Sequence, residues 1–348
     1  MNPASVIVSE NSFADLITCL DQLVLQQRKL FVLTDENTHA NCLTLLNNTW
    51  SKQEVTEIIV IKNDEQNKSI ESCNIIWAAL LNNKADRKSV LLNLGGGFIT
   101  DLGGFAASVF KRGIAFINIP TTLLAMTDAA IGGKTGLNTG GYKNQIGTFA
   151  LPLMTYCYLP FLNTLPERQL RSGAAEMIKH GLIADKDYFF ALKNEKMFNR
   201  KNEIEKSIAI KSAIAIHDIY ENGERQLLNF GHTIGHALES YSYQTTKPLL
   251  HGEAVAAGML CESYLSHIKC GLTEKELVEI TACIKSVFNF NSLTIQTKNL
   301  VPYFLADKKN ENNEIRFTLL QSIGKGITRQ AICEKEINAS IDWFIKNN

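Results

Sequence analysis

The chain has 348 residues, 45% of them hydrophobic and 20% charged, a balance that predicts a soluble globular protein with room for two domains. Lys+Arg and Asp+Glu both number 35, leaving no net charge, which argues against a nucleic-acid partner, whose binding face needs a basic excess. No apolar run reaches the ~18 residues of a membrane helix, MNPASVIVSENSF lacks the pattern of a secretory leader, and the eight scattered cysteines form no CxxC pair, as expected of reduced thiols in a cytoplasmic protein.

Along the chain, SVIVS (5–9) is the first predicted strand, followed by a helix-like FADLITCLDQLVLQQ. KLFVLTD (29–35) is the second strand and ends on Asp35. EVTEIIVI (54–61) is the third; NDEQNK (63–68) follows it with Glu65 and Lys68, and SIESCNIIWAALLNN is the next helix. SVLLNLGG (89–96) and IAFINIPT (114–121) are two further strands. The strands are apolar almost throughout, as strands covered on both faces should be. Their alternation with helices predicts a mainly parallel, Rossmann-like α/β sheet.

LLNLGGGFITDLGG runs from a strand into a turn and a helix. Gly95, Gly96 and Gly97 would let the backbone approach a pyrophosphate, with the helix N–H groups facing the anion. Asp101 comes one turn into that helix. The spacing departs from G-x-G-x-x-G because Thr100 stands at the last glycine, so a tight turn that binds nothing stays open as a reading. Asp35, Glu65 and Lys68 support the nucleotide, because ligands of open α/β sheets sit beyond the carboxyl ends of the strands.

IPTTLLAMTDAAIGGKTGLNTGGYKNQIG (119–147) carries Lys134 and Lys143 around Gly140 and Gly141, with Asn144 adjacent. With Arg112, Lys179, Lys211, Arg225 and the Lys308–Lys309 pair, these cations point to a small polyanion such as a phosphorylated carboxylic acid. The alternative is a set of solvated surface charges. The GGKT tetrapeptide lacks P-loop spacing.

After Pro160 the strand signal fades. LPFLNTLPER places a domain boundary near 160, giving units 1–160 and 161–348. Helical spacing of apolar residues covers 167–184, 200–220, 227–243, 251–269 and 273–288, and EIRFTLL with GITRQAI predicts a late hairpin. Within the helical half, SGAAEMIKHG, LLNFGHTIGHALE and LLHGEAVAAGM carry Glu176, His232, His236 and His251. His232 and His236 are four apart and share a helix face, so from spacing either could ligate. A glutamate with two imidazoles suits zinc with a position left open. Glu176 precedes Lys179 by three residues, so carboxylate and ammonium project together.

From about Asp35 to Lys309 the chain resembles the 3-dehydroquinate synthase family. The motifs that carry the resemblance are GGGFITDLGGFAA, KRGI, IPTTLLAMTDAAIGGKTGLN, KNQIG, SGAAEMIKHG, LLNFGHTIGHALE, LHGEAVAAGM and DKK. The resemblance implies an N-terminal α/β NAD-binding domain, a mostly helical metal- and substrate-binding C-terminal domain, and an active site in the cleft between them. It makes Glu176, His232 and His251 the ligands of one divalent ion per subunit, zinc or cobalt, and moves His236 to the substrate pocket. Asp35, Glu65, Lys68, Gly95–Gly97, Asp101, Thr121 and Thr122 fall at NAD positions, as does Thr164, on the segment closing over the nicotinamide side. Asp128 and Lys143 lie where nucleotide and substrate meet. Arg112, Lys134, Asn144, Lys308 and Lys309 fall at substrate positions, and Lys134, Lys179, Lys211, Arg225, Asn229 and His236 are the implied catalytic set. Two stretches depart from the family pattern: Asn63-Asp64-Glu65-Gln66-Asn67-Lys68 stands where many relatives have Asp-Gly-Glu-Gln-Tyr-Lys, and Asp218-Ile219 stands for Asp-Glu before Arg225.

The implied reaction turns 3-deoxy-D-arabino-heptulosonate 7-phosphate into 3-dehydroquinate and phosphate, with NAD used and regenerated. A homodimer is implied with it. Two enzymatic alternatives remain, a sugar-phosphate cyclase of secondary metabolism and a metal-dependent polyol dehydrogenase; a non-catalytic binding protein is a third.

Overall fold

The computed structural model of the chain describes residues 5–50, 55–140, 142–193, 198–290, 300 and 315–348. It divides into two compact units, Met1–Pro166 and Glu167–Asn348.

In the first unit the strands are β1 (Ser5–Ser9), β2 (Leu30–Asp35), β3 (Val55–Ile61), β4 (Val90–Gly95), β5 (Ala115–Pro120), β6 (Lys134–Thr139), β7 (Tyr142–Phe149) and β8 (Met154–Tyr158). Six of them form one all-parallel sheet in the order β1-β8-β5-β4-β2-β3, while β6 and β7 pair as a separate antiparallel hairpin. The helices are α1 (Ala14–Leu25), α2 (Glu36–Asn41), α3 (Leu43–Thr49), α4 (Ile70–Asn82) and α5 (Gly97–Val109). Every residue of β2 and β4 is buried, which is why their sequences carry no polar alternation. On one side of the sheet Leu33, Ile59 and Leu91 pack with Ile76 of α4, Leu102 of α5 and Leu137 of the hairpin. Close contact between α5 and β4 depends on Gly103, where a Cβ would lie 1.9 Å from Asn93 Oδ1.

The strand order places a switch point. The connection leaving β2 runs outward to β3, whereas the one leaving β4 runs the other way, to β5. The two loops part at the carboxyl ends of β2 and β4, opening the crevice in which doubly wound sheets hold ligands.

The second unit contains α6 (Glu167–Ala184), α7 (Lys186–Ala191), α8 (Lys201–His217), α9 (His232–Ser242), α10 (His251–Lys269), α11 (Glu274–Val287), the strands β9 (Ile315–Ser322) and β10 (Lys325–Ile332), and α12 (Glu334–Lys346). The strands form the expected antiparallel hairpin. Helix α10 is central: it is buried along most of its length and packs against α6, α9, α11 and α12. Small residues let it come close. A Cβ on Gly252 would lie 1.9 Å from the Ser172 carbonyl oxygen of α6, and one on Gly258 would lie 2.0 Å from that of Gly231. The helix expected over 227–243 begins later, at His232. Glu224–Asn229 is instead a 3-10 turn, and Gly231, with φ of 80°, sets the start of α9. Among the described residues no helix is long and apolar enough to cross a membrane.

Candidate metal centre and nucleotide edge

The close approach of α6, α9 and α10 brings Glu176, His232 and His251 together, with one ligand atom from each lying within 4.8 Å of the others. Glu176 is fully buried. One of its oxygens, Oε2, pairs with the buried ammonium of Lys179 one turn on. The other, Oε1, accepts no hydrogen bond and faces His232 Nε2 at 3.6 Å and His251 Nε2 at 3.7 Å.

The tautomers follow from what lies behind each ring. His232 Nδ1 is 3.1 Å from the Phe230 carbonyl oxygen, and His251 Nδ1 is 3.2 Å from Glu239 Oε2. Both partners accept, so both Nδ1 atoms carry the proton, and in the neutral ring each Nε2 presents its lone pair toward Glu176. Three candidate donor atoms converge there, two from buried residues and one from the half-buried His251. Their separations are too long for direct hydrogen bonds. Two ligands about 2.0–2.2 Å from one tetrahedral ion would be about 3.3–3.6 Å apart, close to the distances found. The donor set and its spacing fit a divalent cation of the zinc type.

The site is held by further buried acids that no sequence motif marks. Glu262 of α10 accepts from the backbone N–H of Gly231 at 2.6 Å and of Ile234 at 3.2 Å, fixing the start of α9 where His232 sits. Ser172 Oγ accepts from Gly252 N at 3.0 Å beside His251. The only sequence signal for Glu239 and Glu262 is an acid on the buried face of an otherwise apolar helix, a placement rare without a partner.

His236 lies one turn beyond His232. Its ring centre is 5.2 Å from that of His232 and 5.9 Å from that of His251, yet it is not one of the three converging ligands. Spacing leaves both histidines of α9 as candidate ligands; the approach of α10 groups His232, and not His236, with Glu176 and His251. Lys211 is buried on α8, and Arg225 is buried on the 3-10 turn. Arg225 Nη1 donates to the Ile219 carbonyl at 2.9 Å, so the unusual Ile219 serves through its backbone. Asp218 accepts from the N–H groups of Asn222, Gly223 and Arg225. Burial opposes its ionisation, but these donors outweigh burial and hold its carboxyl below the usual range. Asn229 Nδ2 donates to Glu221 Oε1 at 2.8 Å. Lys308 and Lys309 lie outside the described residues.

In the first unit the nucleotide candidates gather at the carboxyl edge of the sheet. Gly95 ends β4, and Gly96 caps α5 with no side-chain acceptor on the helix N-terminus and no acid in its first turn. Thr121 N donates to Gly95 O at 3.0 Å, and Thr122 Oγ1 accepts from Ala125 N, so the loop after β5 folds against the glycine turn. A Cβ on Gly96 would stand 3.1 Å from Thr122 Cγ2. Asp35 ends β2 across the switch point and caps α2, accepting from Asn37 N, Thr38 N and Thr38 Oγ1. The hairpin closes over the turn after β3. Buried Lys68 reaches Asp101 Oδ2 at 2.6 Å and Asn144 Oδ1 at 2.5 Å. Asn138 Nδ2 donates to Glu65 Oε1 at 3.1 Å, and Lys143 Nζ lies 3.9 Å from the same oxygen. Thr164 sits beside Cys42, whose thiol burial pushes up to about 11 against the hydrogen bond from Thr164.

The remaining first-unit candidates are placed differently. Asp128 lies on the π-helical turn after β5, and Lys134 opens β6 with an exposed side chain. Arg112 is exposed in the left-handed region, φ 69°, beyond the far end of α5. Thirteen residues of helix, about 20 Å, separate that end from the glycine turn, so Arg112 does not join this edge.

A doubly wound parallel sheet with a dinucleotide-type edge in one unit, and a Glu/His/His cluster spaced for a divalent cation in a helical second unit, are the features of a class of nucleotide- and metal-dependent enzymes. Two family models match in succession, 3-dehydroquinate synthase N-terminal over residues 58–172 and 3-dehydroquinate synthase C-terminal over residues 173–310. A 3-dehydroquinate synthase of Parabacteroides distasonis is 41% identical over 352 aligned positions, covering 99% of this chain and 98% of the relative. The chain belongs to the 3-dehydroquinate synthase family. Among solved structures, 2-epi-5-epi-valiolone synthase from Streptomyces hygroscopicus subsp. jinggangensis, with NAD+ and Zn2+ bound, superposes with a TM-score of 0.87 at 25% identity, covering 100% of this chain and 98% of that one. A 2-deoxy-scyllo-inosose synthase complexed with carbaglucose-6-phosphate, NAD+ and Co2+ shares the fold, with a TM-score of 0.85 at 21% identity over 97% of this chain and 95% of its own.

Proposed function

We propose that the chain catalyses the 3-dehydroquinate synthase reaction, as a carbon–oxygen lyase that eliminates phosphate from 3-deoxy-D-arabino-heptulosonate 7-phosphate and closes the carbocycle of 3-dehydroquinate. The observation that carries this reading is the convergence of Glu176 Oε1 with the bare Nε2 atoms of His232 and His251, on a chain 41% identical to a relative of that name. On this reading Met1–Pro166 binds NAD and Glu167–Asn348 binds metal and substrate. A homodimer in the cytoplasm belongs to the same proposal.

Glu176, His232 and His251 would hold zinc or cobalt; Asp35, Glu65, Lys68, Gly95–Gly97, Asp101, Thr121, Thr122, Lys143 and Thr164 would hold NAD. When bound, the cation supplies Lewis acidity toward the C4 and C5 hydroxyls and the dinucleotide a reversible oxidation at C5. A ketone at C5 acidifies the neighbouring C–H, and phosphate can then leave by β-elimination, with ring opening and an intramolecular aldol after C5 is restored. Lys179 balances the Glu176 charge. Lys134, Asn144, Lys211, Arg225 and the Lys308–Lys309 pair would orient the anionic ends of the substrate, with Asp128 at their border with the nucleotide. His236 and Asn229 would move protons at the C5 oxygen.

The test is phosphate release from the heptulosonate phosphate with catalytic NAD+. The proposal expects release in excess of NAD+, no net NADH, and loss of activity with a chelator. Net NADH accumulation, or turnover only of a heptulose phosphate lacking the carboxylate, would overturn it.

A further inference from the structure

The two histidines of the centre are supported unequally. His232 leans on a neutral carbonyl two residues away. His251 leans on the carboxylate of Glu239, twelve residues away on the neighbouring helix and 3% exposed. Glu239 lies on α9 two turns after His232, so one helix supplies a ligand and also orients a ligand of α10.

We infer that Glu239 is a positioning residue of the cation site. Its oxygen accepts the Nδ1 proton of His251, which leaves Nε2 bare, stops the ring from turning, and makes the imidazole a stronger donor. Helix formation alone gives no reason for a buried carboxylate in the middle of α9, since an apolar side chain there would pack without desolvating a charge.

This inference rests on reading Glu176, His232 and His251 as a cation site, and its test separates the two. Metal-stripped wild type, Glu239→Ala and Glu239→Gln are titrated with cobalt(II) against a competing chelator, followed by visible absorption. Thermal unfolding of each metal-free protein is recorded alongside. The expected result is about a 10–100-fold weaker cobalt affinity for Glu239→Ala and a smaller loss for Glu239→Gln, which keeps an acceptor without the charge. All three metal-free proteins should unfold cooperatively. Affinities within about twofold of wild type in both variants would overturn the inference. So would weaker binding in Glu239→Gln that only accompanies loss of cooperative unfolding, which would make the role structural. If wild type itself binds no cobalt, the cation-site reading fails first.

Discussion

Substituting Gly252 with alanine tests whether helix spacing sets the ligand geometry. The new Cβ would lie 1.9 Å from the Ser172 carbonyl oxygen and 2.5 Å from its carbon. These are backbone atoms, so no rotamer relieves the clash. Restoring a contact of about 3.5 Å requires α10 and α6 to part by roughly 1.5 Å. Gly252 follows His251 directly, and Ser172 is one turn before Glu176, so the shift passes to the His251 Nε2–Glu176 Oε1 pair, now 3.7 Å apart. That is several times the ~0.2 Å within which metal–ligand distances are held. Overpacking costs about 1–3 kcal/mol, which lowers Tm by about 2–4 °C per kcal/mol in a unit of this size. The variant should therefore stay folded, melt somewhat lower, and bind cobalt(II) about 10–100-fold more weakly, the scale of loss when the support of a metal ligand is disturbed. Calorimetry and cobalt titration measure the two effects separately. A lowered Tm with wild-type cobalt affinity would show that the α6–α10 spacing does not set the ligand geometry.

Other perturbations have distinct signatures. Glu176→Gln should cost about 3–5 kcal/mol in the metal-free protein by leaving Lys179 buried without its partner. Adding Lys179→Met should recover most of that stability but no cation binding, as denaturant titration and cobalt binding would show. Lys68→Met removes the cation shared by Asp101 and Asn144; NAD+ affinity, read by nicotinamide fluorescence, should fall at least ~10-fold with cobalt affinity unchanged. Asp218 has a depressed folded-state pKa, so its contribution is fully present above the unfolded value of about 3.9 and is lost as pH falls through the folded value. The stability gap between wild type and Asp218→Asn should hold steady from about pH 5 to 7 and narrow below about pH 4, and a gap that widened on acidification would contradict this.

Much of the first unit was legible because β2 and β4 are apolar runs whose burial leaves little ambiguity. β8 was missed: MTYCY follows the Gly-rich stretch with no helix between, so the alternation that marked the other strands is absent. The β6–β7 hairpin read as an anion-binding loop because its glycines, lysines and asparagines hide the strand pattern; its pairing is stabilised by Lys68 and Glu65, which lie far away in sequence. Helix α12 is not among the predicted elements, although Ile337, Ile341 and Phe344 of EKEINASIDWFIK form its buried apolar face. In the second unit Glu176, His232 and His251 stood out as residue types, but the choice between His232 and His236 depended on how α10 approaches α9. Glu239 and Glu262 were invisible for the same reason: their partners are a ring and backbone N–H groups on another helix.

The most direct measurement is anomalous diffraction at the zinc edge from crystals grown with zinc. One ion should be found bound by Glu176 Oε1, His232 Nε2 and His251 Nε2 at about 2.0–2.2 Å. An ion bound elsewhere, or these three side chains turned away from one another around an empty space, would contradict it.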